Sequence, residues 1–434
     1  MKAGFAKEKI TPPLGTRMSG FGGRDKQKGC ERINDDLFVR VLYLNNGEEE
    51  LLIAAFDLLF FAREYADALK SALGRVLDLS PRKILINTSH THSGPCVDRW
   101  GYNMIVPPDL DYLDMVKESF INASIRAKGE KTDVTIWSGT GKTILPVSRR
   151  KPDGKGGVEW RPYPEGIVCK DLPICFLRDL SGEPICLIYS VSCHPSTMGG
   201  WTISADYPGA ACRLLDSFMG KECSLFLQGA GGDCKACVIA DGKDDLDVCW
   251  RSGTPDDIEK AGKIAADEVM KVVETGLTEG KAFLKSVLMD VKLPLKQIPN
   301  EKKLLEMLQS DNEVKKIAAD LLLKRYKRFG NLPDEADILV HGINLAEDVR
   351  FIAVEGELVG EHGLNIIKKF SGGVTFPLGY SNGTGLYLPT SRMLREGGYE
   401  AESYYEYGFA AQLREGIEDC LADAVKNIKL CGIS

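Results

Sequence analysis

The feature that most limits how this chain can fold is the alternation of uninterrupted apolar runs with helix-period segments along most of its length. A short apolar run bounded by polar residues reads as a strand buried on both faces, and such strands need helices to cover them. Leu51-Leu-Ile-Ala-Ala-Phe56 is one such run, Ala66, Leu69, Leu73 and Val76 recur at helical spacing, and Lys83-Ile-Leu-Ile-Asn87 is the next run. Together they predict a β-α-β unit. Two more strands are expected between Leu172 and Val191, joined at the turn Leu180-Ser-Gly-Glu-Pro184, then a helix from about Asp206 and a strand over 223–228. Further on, the pattern predicts helices over 255–273 and 301–328, a strand over 349–354, a helix starting near Glu357, a strand near 374–380 and a helix over 410–428. The expected class is α/β, in a single domain over residues 1–434, with a helical excursion at about 298–332 whose Lys- and Glu-rich side suits a surface.

Composition excludes several functions. With 434 residues, 44% hydrophobic and 27% charged, the chain has material for a core and is not disordered. Lys+Arg 55 against Asp+Glu 62 gives a net charge of -7 without an extended basic run, so nucleic acid is not an expected partner. The longest apolar run, Leu51 to Ala62, contains Asp57 and falls short of the roughly 20 residues that span a bilayer. No stable membrane association is expected. The first residues, Met1 to Lys9, lack an apolar stretch followed by a cleavage site, and the 13 cysteines are scattered among apolar neighbours as reduced core thiols would be. Both features point to a cytoplasmic protein. Oligomeric state is not legible.

Histidine is scarce, with five in the chain at 90, 92, 194, 341 and 362, yet two fall in Asn87-Thr-Ser-His-Thr-His-Ser-Gly-Pro95. A strand running into that loop would project His90 and His92 to one side, where two imidazoles suit a metal, although a pair of structural histidines in a turn fits the same spacing. His194, after an apolar strand, is a candidate third ligand or a satisfied loop residue. Glu357 follows a strand and a glycine, a place for a ligand or for a helix N-terminal acid. Neither nucleotide-loop lookalike holds, since the glycine before Gly141-Lys-Thr143 falls at Ile136 and Gly229-Ala-Gly231 runs on to Cys234. Cys234-Lys-Ala-Cys237 fits a redox pair or half a zinc site, without a second such motif.

In their order these motifs resemble the N-terminal catalytic domain of the neutral/alkaline, non-lysosomal ceramidase family. The likeness runs from Gly4-Phe-Ala-Lys-Glu-Lys-Ile-Thr-Pro12 and Ile33 to Arg40, through Asp57, Thr88-Ser-His-Thr-His-Ser-Gly-Pro95 and Ser148-Arg149, to Cys193-His-Pro-Ser196 and Ser204-Ala-Asp206. It continues through the loop from Gln228 to Asp233, Glu355-Gly-Glu357 and Asn382 through Tyr387 to Glu400, so it spans nearly the whole chain. The resemblance implies mixed β-sheets flanked by helices and a single zinc (Zn2+) held by His90, His194, Glu357 and Tyr387. It further implies His92 as proton shuttle or oxyanion donor, Arg149 as the group that orients a polar or anionic part of the substrate, and Asp57 as a support for a ligand imidazole. Lys235 stands where the family carries a serine, and the family's additional C-terminal β-sandwich domain has no counterpart in the sequence.

The expected activity is zinc-dependent hydrolysis of an amide, ester or lactone in a small polar metabolite. True ceramide hydrolysis is not expected, because nothing in the sequence looks suited to extracting a long-chain lipid from a membrane. A metal-dependent isomerase or epimerase, with Lys235 or His92 moving a proton, and a non-catalytic zinc-binding protein remain the alternatives.

Overall fold

The computed structural model describes residues 1–25, 27–97, 108–245 and 247–434. Its larger sheet is assembled from β1 (Lys2–Lys9), β2 (Phe38–Asn45), β3 (Glu50–Phe56), β4 (Ile84–Thr88), β5 (Thr132–Lys142), β6 (Asp171–Asp179), β7 (Pro184–Val191) and β8 (Ser224–Gln228). They lie in the order β8-β7-β6-β5-β1-β2-β3-β4, with the short strand Thr278–Gly280 beside β5. Neighbours are antiparallel except at the two ends, β3 with β4 and β7 with β8. Parallel neighbours require a crossover, and the helices α1 (Arg63–Leu77) and α3 (Asp206–Met219) supply it, with α2 (Leu110–Gly129) between them in the chain. A smaller sheet follows: β9 (Ala282–Pro294), β10 (Glu335–Ala346), β11 (Val349–Val354) and β12 (Val374–Leu378), in that order, with β11 parallel to β12. The protein therefore has mixed sheets with flanking helices.

The apolar runs explain the layers. Residues of both sheets share one core, in which Ile53, Leu85, Ile188 and Leu227 of the larger sheet meet Ile343, Phe351, Phe376 and Leu378 of the smaller. The Phe351 and Phe376 rings stack at 4.3 Å between centroids. The other face of the larger sheet packs against α1 and α2 at one end, and against α3 and α4 (Pro255–Thr275) at the other. The α4 N-terminus is closed by a reciprocal capping box between Thr254 and Asp257, an arrangement worth about 1 kcal/mol.

Three expectations need correction. The helix read over 301–328 is two helices, α5 (Glu301–Met307) and α6 (Glu313–Phe329), because the Asn312 side chain caps a fresh start by accepting from the Lys315 amide. These two helices bury a small core of their own. The helix expected from Glu357 is α7 (Gly360–Ile367), since Glu357 itself lies in a two-residue strand opposite Tyr387. The final helix, α8 (Ile417–Leu430), begins well after Ala410, because the Gln412 carbonyl accepts from the Lys296 amide and Leu413 bridges to Leu295. That extended backbone is committed to another segment before Gly416 lets the helix begin.

Three strand ends are drawn together by one side chain. Asn87, near the end of β4, donates to the Gly379 carbonyl at 2.9 Å and accepts from the Gln228 amide at 2.8 Å. The carboxyl ends of β4, β8 and β12 are thereby joined, at a place where open α/β sheets collect their sites.

Candidate metal centre

His90 and His92 lie in the loop after β4, and His194 lies in the loop after β7. The chain does not alternate through them as an extended strand would; His90 adopts a left-handed backbone with φ 65, which turns its ring inward. Its amide donates to the Leu58 carbonyl at 2.9 Å, holding the loop against the segment after β3. His92 is pressed from the other side by the 20–22 segment, where a Cβ on Gly20 would lie 2.7 Å from the His92 Cα and where φ is +102. Glycine is required there on both counts.

The ring nitrogens converge. His90 Nε2 lies 3.1 Å from His194 Nε2 and 3.2 Å from His92 Nε2. Glu357 Oε2 stands 3.3 Å from His90 Nε2 and 3.6 Å from His194 Nε2. Among the described residues these histidines form the one group of three or more acidic, thiol or imidazole side chains whose ligand atoms all fall within 4.8 Å of one another.

Protonation makes this geometry informative. His90 Nδ1 is 2.9 Å from the Leu59 carbonyl and His194 Nδ1 is 2.9 Å from the Gly231 carbonyl. A carbonyl only accepts, so each Nδ1 carries a proton, and the neutral form of each ring turns a bare Nε2 lone pair toward the other. Burial, reinforced by Arg149 and the neighbouring imidazoles, pushes the His194 pKa well below its ordinary value, which disfavours an imidazolium between them. Two lone pairs facing each other at hydrogen-bond distance beside a carboxylate repel unless a cation lies between. The donor set fits a metal ion.

Glu357 is held as a carboxylate. Burial drives its pKa up, but positive charge beside it at the His90 Nε2 position and the Tyr407 and Tyr387 hydroxyls outweigh that and leave it below the ordinary value. The Tyr407 hydroxyl donates to Oε1 at 2.5 Å and the Tyr380 hydroxyl to Oε2 at 3.3 Å. A cavity of about 380 Å³ opens onto the cluster, walled by Phe21, Phe60, Trp160 and Tyr399 and floored by the histidines and Glu357.

No protein-family model matches the chain, and no curated protein matches it in sequence. Solved structures do. The neutral ceramidase from Pseudomonas aeruginosa superposes with a TM-score of 0.72 over 99% of this chain and 74% of its own, at 15% identity. A ceramidase complexed with C2 gives 0.73 over 99% and 75%, at 14% identity. The chain has a ceramidase-like fold.

Within this ceramidase-like fold His90, His92, His194, Glu357, Tyr387, Arg149 and Lys235 all line the one cavity. Two further contacts bear on the expected roles, those of Asp57, outside the cavity, and of Arg149. Asp57 supports no imidazole: its Oδ2 pairs with Arg40 at 2.6 Å and accepts from the Phe38 amide at 2.9 Å, while the backbone carbonyls of Leu59 and Gly231 take the imidazole protons. Arg149 is committed to the protein, with Nε donating to Glu400 at 2.7 Å and Nη2 to the Tyr387 hydroxyl at 3.2 Å. Its Nη2 steers the Tyr387 phenol, and the guanidinium also lines the cavity. The Cys234 thiol donates to the Ser192 carbonyl at 3.1 Å, and neither Cys234 nor Cys237 belongs to a metal-competent group among the described residues.

The ceramidase-like fold also brings in residues that sequence reasoning missed. Tyr380 and Tyr407 bind Glu357, and Glu406 faces the cavity with its pKa raised to about 7 by burial and by the Glu357 charge. Glu400 fell inside a matched motif, but only its contact with Arg149 reveals what it does. The described residues include no helix long and apolar enough to cross a membrane.

Proposed function

We propose that this protein is a zinc-dependent hydrolase of an amide, ester or lactone bond in a small polar metabolite. The observation that carries the reading is the pair of inward-facing Nε2 lone pairs of His90 and His194 beside the Glu357 carboxylate. His90, His194, Glu357 and Tyr387 would hold the ion. Bound zinc supplies Lewis acidity toward an acyl carbonyl and lowers the pKa of an attacking water. The likeness in fold to ceramidases, which cleave an amide, supports acyl chemistry.

The protein's own side chains serve the rest. His92 has no hydrogen-bond partner at its buried Nδ1 among the described residues, and its Nε2 lies 3.2 Å from His90 Nε2. Burial and the nearby His90, Lys235 and Arg149 push its pKa well below the ordinary value, so it starts neutral and can accept a proton. It takes a proton from the attacking water and returns one to the leaving nitrogen or oxygen as the acyl bond breaks. The Glu400–Arg149–Tyr387 chain fixes the phenol oxygen. The aromatic walls limit bulk water around the reacting carbon.

The volume of about 380 Å³ supports a small substrate over a two-chain lipid. The scattering of 13 cysteines among apolar neighbours supports the cytoplasmic setting expected from sequence. A panel of amides, esters and lactones, assayed before and after chelation and with zinc restored, tests the reading: chelator-reversible turnover supports it, and no turnover across the panel defeats it. One observation favours a second reading, since burial and Arg149 lower the Lys235 pKa to about 8, in range for moving a proton beside a polarised carbonyl. Product of unchanged mass that takes up solvent deuterium would identify such an isomerase or epimerase.

A further inference from the structure

The cavity contains a cation to which hydrolysis assigns no task. Lys235 lies on the short strand Cys234–Ala236, opposite Val147 of the strand Pro146–Pro152, and its backbone bridges to His194. The backbone is therefore fixed beside the histidines while the side chain lines the cavity. Three buried arginines have acids: Arg40 has Asp57 at 2.6 Å, Arg149 has Glu400 at 2.7 Å, and Arg150 has Glu396 at 3.1 Å, while Arg24 and Arg350 are met by backbone carbonyls. Lys235 enters no ion pair among the described residues, and its ammonium stands 5.3 Å from the Trp250 ring centroid.

The acids facing the cavity are occupied elsewhere. Glu357 accepts from the Tyr407 and Tyr380 hydroxyls, and Glu406 accepts from the Tyr399 hydroxyl at 2.9 Å. Arg149, the guanidinium in the same wall, is engaged by Glu400 and Tyr387. A sheltered ammonium without a counter-charge is costly, and an anion brought by a ligand would relieve that cost.

We propose that Lys235 binds a carboxylate of the substrate, so that the enzyme acts on small amides, esters or lactones bearing a free carboxylate. This assignment rests on the hydrolase reading above. One end of the substrate presents its acyl carbon to the histidine cluster, the other places its carboxylate on the Lys235 ammonium, and Phe21, Phe60 and Trp160 enclose the carbons between. Neither the lysine nor the carboxylate changes covalently.

Isothermal titration calorimetry on the zinc-loaded protein tests it with malonate, succinate and glutarate, each beside its monoamide. Both members of a pair offer one carboxylate to the metal and differ only in the charge of the far end. At least one diacid should bind about tenfold or more tightly than its monoamide, the size of one charge-assisted hydrogen bond. Lys235→Met should abolish that preference and Lys235→Arg should retain it, with circular dichroism and zinc content confirming folded, metal-bearing samples. Equal affinities in every pair, no binding by any of the compounds, or a preference that survives in Lys235→Met would overturn the proposal. Zinc measured alongside separates the two levels: a zinc-bearing wild type without preference refutes the lysine assignment alone, whereas a wild type that takes up no zinc refutes the hydrolase reading beneath it.

Discussion

Two of the regions that bury histidine do so differently. On β10 the His341 ring is met on both sides, with Nε2 2.8 Å from the Ser286 hydroxyl and Nδ1 3.4 Å from the Asn382 amide. At the metal centre His90 and His194 are satisfied at one nitrogen only, and the other nitrogen points at a second imidazole. Burial is equal at His90, His194 and His341, so burial does not mark the site. The direction of the remaining lone pair does: a structural histidine spends both nitrogens on the protein, and a ligand histidine keeps one for the ion.

The largest effect expected from this contrast is on metal content. His194→Ala removes a ligand atom and should reduce zinc, measured by mass spectrometry on purified protein, from about one per chain to near none. His341→Gln, equally buried, should leave zinc unchanged. Zinc retained in His194→Ala, or lost in His341→Gln, would break the comparison. A smaller effect is expected one layer out: Tyr407→Phe removes the hydroxyl that donates to Glu357 at 2.5 Å, and should weaken zinc affinity about 10–100-fold in a competition titration with a chromogenic chelator.

The same contrast shows what was legible in the sequence. The apolar runs around Phe56 and Ile86 predicted the β-α-β unit because strands buried on both faces need unbroken apolar residues, and that signal is local. The resemblance placed His90, His194, Glu357 and Tyr387 in one neighbourhood, and the fold gathers them there. Backbone acceptors were not legible: the Leu59 and Gly231 carbonyls that orient the imidazoles have no side-chain signature, so Asp57 was the apparent candidate although it serves Arg40. The free Lys235 and committed Arg149 were equally hidden. Lys235 is an isolated basic residue and Arg149 begins the run Arg149-Arg150-Lys151, and only long-range contacts such as Arg149 with Glu400 show which is paired. The break between α5 and α6 was missed because one Asn312 cap outweighs a helical period that continues across it.

Acid should separate the two regions by stability. Burial, with Lys70, Lys83 and Arg82 nearby, lowers the His341 pKa from 6.5 to about 3. The unfolded chain then binds a proton that the folded chain refuses, so the stability due to neutral His341 is complete above about pH 6.5 and is lost as pH falls toward 3, at up to about 1.4 kcal/mol per pH unit. His341→Gln cannot titrate. Urea midpoints of the chelator-treated proteins, compared between pH 7 and pH 5, should therefore fall more steeply for the wild type than for His341→Gln. Parallel pH profiles would show that His341 is protonated in the fold and that its two hydrogen bonds are not those of a neutral ring.

The smallest expected effect isolates one of those bonds. Ser286→Ala on β9 removes the hydroxyl that faces His341 Nε2 and leaves a buried ring nitrogen unsatisfied, at a cost of about 1–3 kcal/mol in urea unfolding. Zinc content should not change, because the serine pairs across β9 and β10, away from the histidine cluster. His341 then resembles His90 and His194 in having one unpartnered nitrogen, yet with no second imidazole and no carboxylate opposite it. If that variant acquired a second equivalent of zinc, an unpartnered buried nitrogen would suffice to make a ligand. If it is destabilised and gains none, the convergence of several donors on one point is what separates the metal centre from an ordinary buried histidine.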